Sequence, residues 1–350
     1  MKYLLIDGNN LAIRSAFANE LLSNKEGIPT GVHYGFFQSL ISIKQKYPDY
    51  QFLIVWDGKS KRRVAEANAA VEQKIIQSGY KANRKKDEQP KPLLDFYSQS
   101  PFLKKGLGQT GIPQIRLEDF EADDVIASYC RILKKENEII VVTSDNDYMQ
   151  LLDQNVIIFD GMKQKTITLG EWSKENGILP EQFIDCGALS GDDSDNIHGV
   201  PSIGEKTALK IIKEHGTWQK ALDAYRKQLD PYRKDFPDLI NNPSEFSRLS
   251  GMLTEKKKSK YPEITIDMPY NGVALAIEDN KIKEKIPKTT IMAVMFCKRI
   301  ELAFSLKKMD DNITNLPEIQ QGKINREKLI EYFDYYDIES LRASVDILGG

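Results

Sequence analysis

Four short apolar runs, each stopping at an acidic turn, constrain this chain more than any other feature. Met1 to Ile6 closes on Asp7-Gly8-Asn9-Asn10, and Gln51 to Trp56 closes on Asp57-Gly58. Glu138 to Val142 runs into Thr143-Ser144-Asp145-Asn146-Asp147, and Val156 to Phe159 runs into Asp160-Gly161. Apolar runs of this length read as buried strands ending in turns. Between the first two, Thr30 to Tyr47 carries Tyr34, Phe37, Leu40, Ile41 and Ile43 at roughly helical spacing, so the order is strand, helix, strand. Strands alternating with helices predict an α/β fold with a mostly parallel central sheet flanked by helices. Ligands of such sheets collect at the carboxyl ends of the strands, where Asp7, Asp57, Asp145 and Asp147 fall.

With 350 residues, 41% of them apolar, the chain can bury a substantial core. It has no run of eighteen apolar residues, and its first segment reaches Asp7 too soon for a signal peptide, so a cytoplasmic protein that makes no use of a membrane is expected. Cys130, Cys186 and Cys297 are odd in number and widely spaced, which fits buried apolar residues better than a disulfide framework. His33, His198 and His215 show no ligand pattern. Total charge is nearly balanced, but its distribution is not. Lys59 to Lys91 holds ten basic and four acidic residues, and Ile203 to Lys234 holds eight and four. Such segregation suggests a polyanion-binding surface beside a cation-binding site, although a single charge run is more often a solvated face.

Two stretches depart from the strand–helix alternation. Lys59 to Pro92 combines a helix-prone segment, Val64 to Ile76, with the basic loop Tyr80-Lys81-Ala82-Asn83-Arg84-Lys85-Lys86, and has little apolar surface to anchor it, so a mobile excursion is expected. Pro180 to Lys213 reads as helix, loop, helix around the hinge Gly199-Val200-Pro201-Ser202-Ile203-Gly204. Beyond about Asn241 the pattern loosens into an α-leaning tail.

The acids Asp7, Asp57, Glu121, Asp123, Asp124, Asp145, Asp147, Asp192 and Asp195 form the strongest chemical signal. Each group also has a structural explanation: strand-end solvation for Asp7 and Asp57, complementing a helix dipole for Asp123 and Asp124, helix capping for Asp145 or Asp147. If the sheet gathers them, each like-charged pair near 4 Å costs about 4 kcal/mol at an effective dielectric of 20. A few such pairs would consume the ~5–15 kcal/mol of a domain's stability. Bound cations remove that conflict, and oxygen-only ligands select Mg²⁺ or Mn²⁺ over zinc.

These segments resemble, in order, the metal-binding segments of the flap endonuclease and 5′ nuclease superfamily, which includes the 5′ nuclease domain of bacterial DNA polymerase I and free-standing phage enzymes. The similarity runs over roughly Met1 to Lys234, through Leu4 to Asn10, Val55 to Gly58, Phe120 to Asp124, Ser144 to Asp147 and Leu189 to Ile197. The resemblance implies a structure-specific 5′ nuclease, a flap endonuclease or 5′ to 3′ exonuclease of phage or bacterial replication and repair. Its two-metal reaction leaves a 5′ phosphate and a 3′ hydroxyl. It assigns Asp7, Asp57, Glu121, Asp123 and Asp124 to the side of one Mg²⁺ (or Mn²⁺), and Asp145, Asp147, Asp192 and Asp195 to a second. The basic excursion resembles the family's helical arch, which makes Lys81 and Arg84 catalytic contacts to the scissile phosphate, Tyr80 a base-stacking residue and Arg14 a phosphate contact. The hinge resembles a helix-hairpin-helix-like module in which Gly199, Ser202, Gly204, Lys206 and Lys210 grip the duplex, with a K⁺ ion in the hairpin.

The domain organisation expected on this basis is an α/β nuclease core over 1–180 with the arch at about 59–92, a DNA-binding module over 181–240, and an α-leaning extension over 241–350. Expected partners are branched or 5′-ended DNA, RNA–DNA hybrids and replication proteins. Two alternatives remain open at this level. A structure-specific DNA-binding protein without catalysis would bind a flap and never cut it, and a PIN-like ribonuclease would cut single-stranded RNA without needing a junction.

Overall fold

The computed structural model describes residues 1–84, 89–161, 163–229 and 287–349. The four expected strands are β1 (Lys2–Asp7), β2 (Gln51–Trp56), β4 (Glu138–Val142) and β5 (Val156–Asp160), with β3 (Gln114–Arg116) and β6 (Lys165–Ile167) added to the same sheet. The two additions have three residues each and mixed polarity, too short for a periodicity to show in the sequence. Strand order is β3-β2-β1-β4-β5-β6, parallel throughout except for β6, which runs antiparallel to β5. Leu4, Leu5 and Ile6 of the central strand are all fully buried, which is why β1 reads as a continuous apolar run. The chain builds outward from β1 to β2 and β3, then returns to the other side of β1 with β4. This reversal of strand order is where an open α/β sheet leaves a crevice at its carboxyl edge.

The α-helices of the described residues in chain order are α1 (Gly8–Ala18), α2 (Gly31–Lys46), α3 (Lys61–Glu72), α4 (Lys91–Leu107), α5 (Ala122–Leu133), α6 (Leu169–Asn176), α7 (Phe183–Ser190), α8 (Glu205–His215), α9 (Trp218–Leu229), α10 (Lys288–Met295), α11 (Cys297–Lys307), α12 (Arg326–Tyr335) and the single turn α13 (Val345–Leu348). Among the described residues no helix is long and apolar enough to cross a membrane. The chain forms two compact units that interleave in sequence. One comprises Met1–Lys61, Arg84–Glu175 and Met309–Gly350, the other Arg62–Asn83 and Asn176–Lys308. Of the extension expected over 241–350, residues up to 286 lie outside the described ones, 287–308 fall in the second unit, and the stretch from Met309 falls in the first.

That returning stretch is part of the first unit's core. Gly322 N–H donates to Gly111 O (2.7 Å) and Asn325 N–H to Gln109 O (2.7 Å), in a crossing so close that a Cβ on Gly111 would stand 2.7 Å from the Gly322 backbone. Leu329, Phe333, Tyr336, Leu341, Val345 and Leu348 then pack into the same buried cluster as Leu4, Ile6, Phe36, Phe37 and Trp56. His33 sits inside this junction, fully buried, with its ring nitrogens on the Tyr332 hydroxyl and on Gln99 Oε1 (3.1 Å), and it stacks on Tyr336 at 3.9 Å. Burial lowers its pKa to about 4, against the opposing effect of Gln99. A histidine depressed in the folded state contributes stability that is complete above its ordinary value of 6.5 and is lost as pH falls toward 4. Each tenfold change in proton affinity is worth ~1.4 kcal/mol, so His33 should account for roughly 3 kcal/mol of acid destabilisation. Urea unfolding across that window should flatten by that amount in His33→Gln, and an unchanged profile would remove His33 from the account.

In the second unit α7, a two-stranded ribbon and α8 follow the expected helix, loop, helix. The ribbon pairs β7 (Gly191–Asp192) with β8 (Ile197–His198). Gly191 has φ +76°, and a Cβ there would lie 2.4 Å from Gly199 N, so the ribbon closes only because both positions lack side chains. The basic excursion is better anchored than its sequence suggests, because Arg63, Ala67 and Ala70 of α3 are buried within this unit. Small and amphipathic residues supply that anchor, which a search for a large apolar stripe overlooks. Trp172 and Trp218 are core residues, and the three cysteines are buried, with burial raising the Cys130 and Cys186 thiols to about 12.

Candidate metal and nucleic-acid site

The residues after β1 act as a bracket for the neighbouring strand ends. Asp7 caps α1, its Oδ1 accepting from Asn10 N–H (3.0 Å). Asn9 Oδ1 accepts from Asp57 N–H (3.3 Å), and Asn10 Oδ1 accepts from both the amide (3.1 Å) and the hydroxyl (2.9 Å) of Ser144. The carboxyl ends of β2 and β4 are thus tied to that of β1. Gly8 lies so near Trp56 that a Cβ would stand 2.8 Å from its ring. Gly58 plays the matching role after β2, where a Cβ would reach 1.9 Å from Leu117 O. Hydrogen bonds from Gly58 N–H to Phe120 O (2.9 Å) and from Lys59 N–H to Glu118 O (2.8 Å) hold the two segments together. This clamp brings Asp57 to the start of α5, where its Oδ1 accepts from Ala122 N–H (2.8 Å).

These constraints gather negative charge. Asp7 is 8% exposed, and burial pushes its carboxyl well above the ordinary carboxylate range. Asp57 and then Asp145 push it further, while the Asn10 amide and the Tyr148 hydroxyl oppose them. Tyr148, fully buried, donates its hydroxyl to Asp7 Oδ2 (3.0 Å). Burial first, and then Asp7, Asp123, Asp145 and Asp57, raise its own pKa well above normal, so four aspartates from four separate segments act on one hydroxyl. Tyr148 is the principal site residue that the sequence alone does not reveal. Its only signal is its place directly after Asp145-Asn146-Asp147, which gives no indication that the ring turns inward.

The remaining acids of the first unit differ in setting. Asp145 caps the short 3₁₀ turn Asn146–Leu151, its Oδ1 accepting from Asp147 N–H (2.9 Å). Glu121 and Asp147 are half-buried, as is Asp123, whose Oδ1 accepts from Asp124 N–H (2.8 Å). Asp124 is nearly inaccessible, and its oxygens accept from Glu121 N–H (3.4 Å) and from Asp310 N–H (2.7 Å). It also joins α5 to the returning C-terminal segment. The same helix fastens that segment again through Ser128 Oγ to Asp310 O (3.1 Å) and Tyr129 OH to Pro317 O (2.6 Å).

The second unit holds the other expected residues. Asp195 Oδ2 accepts from the Tyr80 hydroxyl (2.9 Å) and faces Lys81 Nζ at 3.8 Å, and Lys81 N–H donates to Asp195 O (2.9 Å). Asn83 Nδ2 donates to Asp193 O (2.7 Å), and Asn196 Nδ2 to Gly79 O (2.8 Å) and Ser78 Oγ (2.9 Å). Residues 78–83 are therefore docked on the turn Asp193 to Asn196. Asp192 pairs with Lys307 (2.8 Å). Lys206 and Lys210 are exposed on α8, Gly204 precedes its first turn, and Ser202 adopts a left-handed φ of 73° in the hinge that also contains Gly199. Arg14 is half-buried on α1 in the first unit, and Arg84 is at the end of the described part of the basic loop.

A divalent cation fits the first unit in donor chemistry: carboxylate oxygens, among which Asp57 and Asp145 raise the pKa of Asp7, with neither His nor Cys among them. Among the described residues no three His, Cys, Asp or Glu side chains stand at the spacing of an assembled metal centre. The agreement is therefore one of charge and donor type.

Comparison with known proteins gives a consistent result. The family model described as 5′-3′ exonuclease, N-terminal resolvase-like domain, matches residues 2–177, and that described as 5′-3′ exonuclease, C-terminal SAM fold, matches residues 178–268. A 5′-3′ exonuclease of Aquifex aeolicus is 30% identical over 294 residues, covering 83% of this chain and 93% of that protein. DNA polymerase I of Caldicellulosiruptor bescii is 35% identical over 229 residues, covering 63% of this chain and 25% of the polymerase, so the chain spans about a quarter of such relatives. A solved T5 5′-exonuclease with bound divalent zinc ions superposes with a TM-score of 0.54 at 19% identity, over 99% of this chain and 96% of that one, which supports the fold.

Proposed function

The chain belongs to the 5′-3′ exonuclease family and is a nuclease, and from that premise we propose that it is a structure-specific 5′ nuclease that hydrolyses DNA at 5′ ends and flaps with the help of two Mg²⁺ or Mn²⁺ ions. The observation that carries this reading is that Asp7, held by the Tyr148 hydroxyl at the carboxyl edge of the sheet, lies within the electrostatic reach of Asp57 and Asp145. Asp7, Asp57, Glu121, Asp123, Asp124, Asp145 and Asp147 are the acids of the first unit that would hold cations, and Asp192 and Asp195 are the corresponding pair in the second. When bound, such ions supply a polarised attacking water and a counter-charge for the leaving 3′ oxygen.

The chain's own residues prepare for this chemistry. Tyr148 and the Asn10 amide hold the two oxygens of Asp7 in place, and Ala122 N–H orients Asp57. Positions held in this way cost little reorganisation when substrate arrives. Lys81 and Arg84 would offset charge developing on the scissile phosphate, Tyr80 would stack a base, and Arg14 would bind a neighbouring phosphate. Residues 181–240 are read as the duplex-gripping module, with Gly199, Ser202 and Gly204 admitting the phosphate backbone, K⁺ in the hairpin, and Lys206 and Lys210 adding charge. RNA–DNA hybrids as substrates, replication proteins as partners and a cytoplasmic site of action complete the proposal.

The direct test is incubation with end-labelled flap, nicked and single-stranded DNA, with Mg²⁺ or with chelator. Mg²⁺-dependent products released from the 5′ end support the reading, whereas binding without cleavage would overturn it. Lys206→Ala should weaken flap binding at every sequence and reduce the slope of log affinity against log salt by about one. A slope equal to the parent's would take Lys206 out of the interface.

A further inference from the structure

Asp192 has a resident cation in this structure, and the surrounding residues are built to keep it there. Lys307 Nζ lies 2.8 Å from Asp192 Oδ2, while Asp192 Oδ1 accepts from the amide (2.9 Å) and hydroxyl (2.7 Å) of Ser194. Lys307 is the last residue of α11 and is only 7% exposed. Its stem crosses α7 at Gly187, where a Cβ would meet Lys307 Cδ at 2.6 Å and Cε at 2.8 Å. The missing side chain therefore forms the groove through which the lysine reaches the carboxylate. Two arginines of α3 fix the end of α11 that carries it. Arg62 donates to Ser305 O (2.6 Å) and Lys308 O (2.7 Å), and the buried Arg63 donates to Leu306 O (2.9 Å). Cationic donors on the last carbonyls are the favourable arrangement at a helix C-terminus. Burial alone would raise the Asp192 carboxyl, yet Lys307 and Ser194 hold it at about 2.

We propose that Lys307 is a built-in counter-cation which a divalent ion must displace before Asp192 can ligate it, so that this lysine sets the cation affinity of the second unit's acids. A Mg²⁺ ion binds a carboxylate oxygen at roughly 2.0–2.1 Å, which leaves no room for an ammonium at hydrogen-bond distance on the same oxygen without strong repulsion. Displacing Lys307 means moving a buried stem out of the Gly187 groove. The acid is consequently kept neutralised and ordered without metal, and the competing ammonium weakens its hold on a divalent ion.

The inference rests on the reading of Asp192 as a cation ligand, and its test is independent of turnover. Mn²⁺ binding to the full chain is followed by the loss of the free-ion paramagnetic signal. Lys307→Met should tighten one class of Mn²⁺ site by about tenfold or more, the scale of a 1.4 kcal/mol change. The gain should vanish in Lys307→Met/Asp192→Asn. Gly187→Ala is the second variant, because it pushes the stem aside while leaving both charges in place, and it should tighten binding in the same direction. Circular dichroism identifies any variant that fails to fold. Isotherms of Lys307→Met and Gly187→Ala that superpose on the parent's would overturn the inference, as would a gain that survives Asp192→Asn. Failure of the nuclease reading shows separately, as absence of cleavage by the parent protein.

Discussion

Asp7→Asn should lose hydrolysis by at least about 10³-fold, equivalent to ~4 kcal/mol of transition-state stabilisation, and should at the same time be more stable than the parent when no metal is present. The two effects share one cause. Burial and the charges of Asp57 and Asp145 hold the Asp7 carboxyl well above its ordinary range. For an acid raised in the folded state, the contribution to stability is present below the unfolded pKa and is lost as pH rises through the folded value. At neutral pH the ionised form is therefore a cost, of the kind that functional sites carry at the expense of stability. Asparagine keeps the shape, can still accept from Asn10 N–H and can still pair with the Tyr148 hydroxyl, but carries no charge. Urea unfolding in chelator should show a gain of ~1–3 kcal/mol, the usual scale for relieving a buried charge conflict. Added Mg²⁺ should stabilise the parent far more than the variant. Parent-like cleavage by Asp7→Asn, or an apoprotein no more stable than the parent, would contradict the assignment of Asp7.

The second large effect concerns the C-terminal stretch, which lies beyond the residues matched by either family model. Removal of residues 310–350 should unfold the first unit. Leu329, Phe333, Tyr336, Leu341, Val345 and Leu348 are all buried in the cluster that includes the central strand. At ~1.5–3 kcal/mol for each large apolar side chain buried, their loss is on the order of 10 kcal/mol, comparable with a whole domain's stability. The backbone links at Gly111 and Gln109 and the Asp124 to Asp310 contact would be lost as well. Because truncation can fail for trivial reasons, Phe333→Ala gives a graded measure. Phe333 is fully buried and packs edge-to-face on Phe37 at 5.0 Å, so the variant should cost ~3–5 kcal/mol. A soluble, cooperatively folding 1–309 fragment with native circular dichroism would show that the stretch is an accessory.

Much of the site is readable because its chemistry sits at positions that local sequence already specifies. A buried strand running into an acidic turn announces both an element and an acid near its end, and repeating the pattern implies a shared sheet edge. Asp7, Asp57 and Asp145 are legible in that way, as are α2 and the helix, loop, helix of the second unit. The 3₁₀ turn hides Tyr148, since nothing local distinguishes a ring aimed at a carboxylate from one aimed at solvent. The contact of Asp124 with the Asp310 amide is hidden as well, because Asp310 lies far along the chain.

Sequence alone determined the strand and helix types, the parallel α/β class and the family, because buried apolar runs, acidic strand ends and their order along the chain are local properties. Tertiary structure decided which carboxylate meets the Tyr148 hydroxyl, that Asp124 reaches the Asp310 amide, that Arg62 and Arg63 serve the end of a helix remote in sequence, and that the last residues complete the first unit's core. Those outcomes depend on desolvation and on contacts between distant segments, and neither exists until the chain has folded.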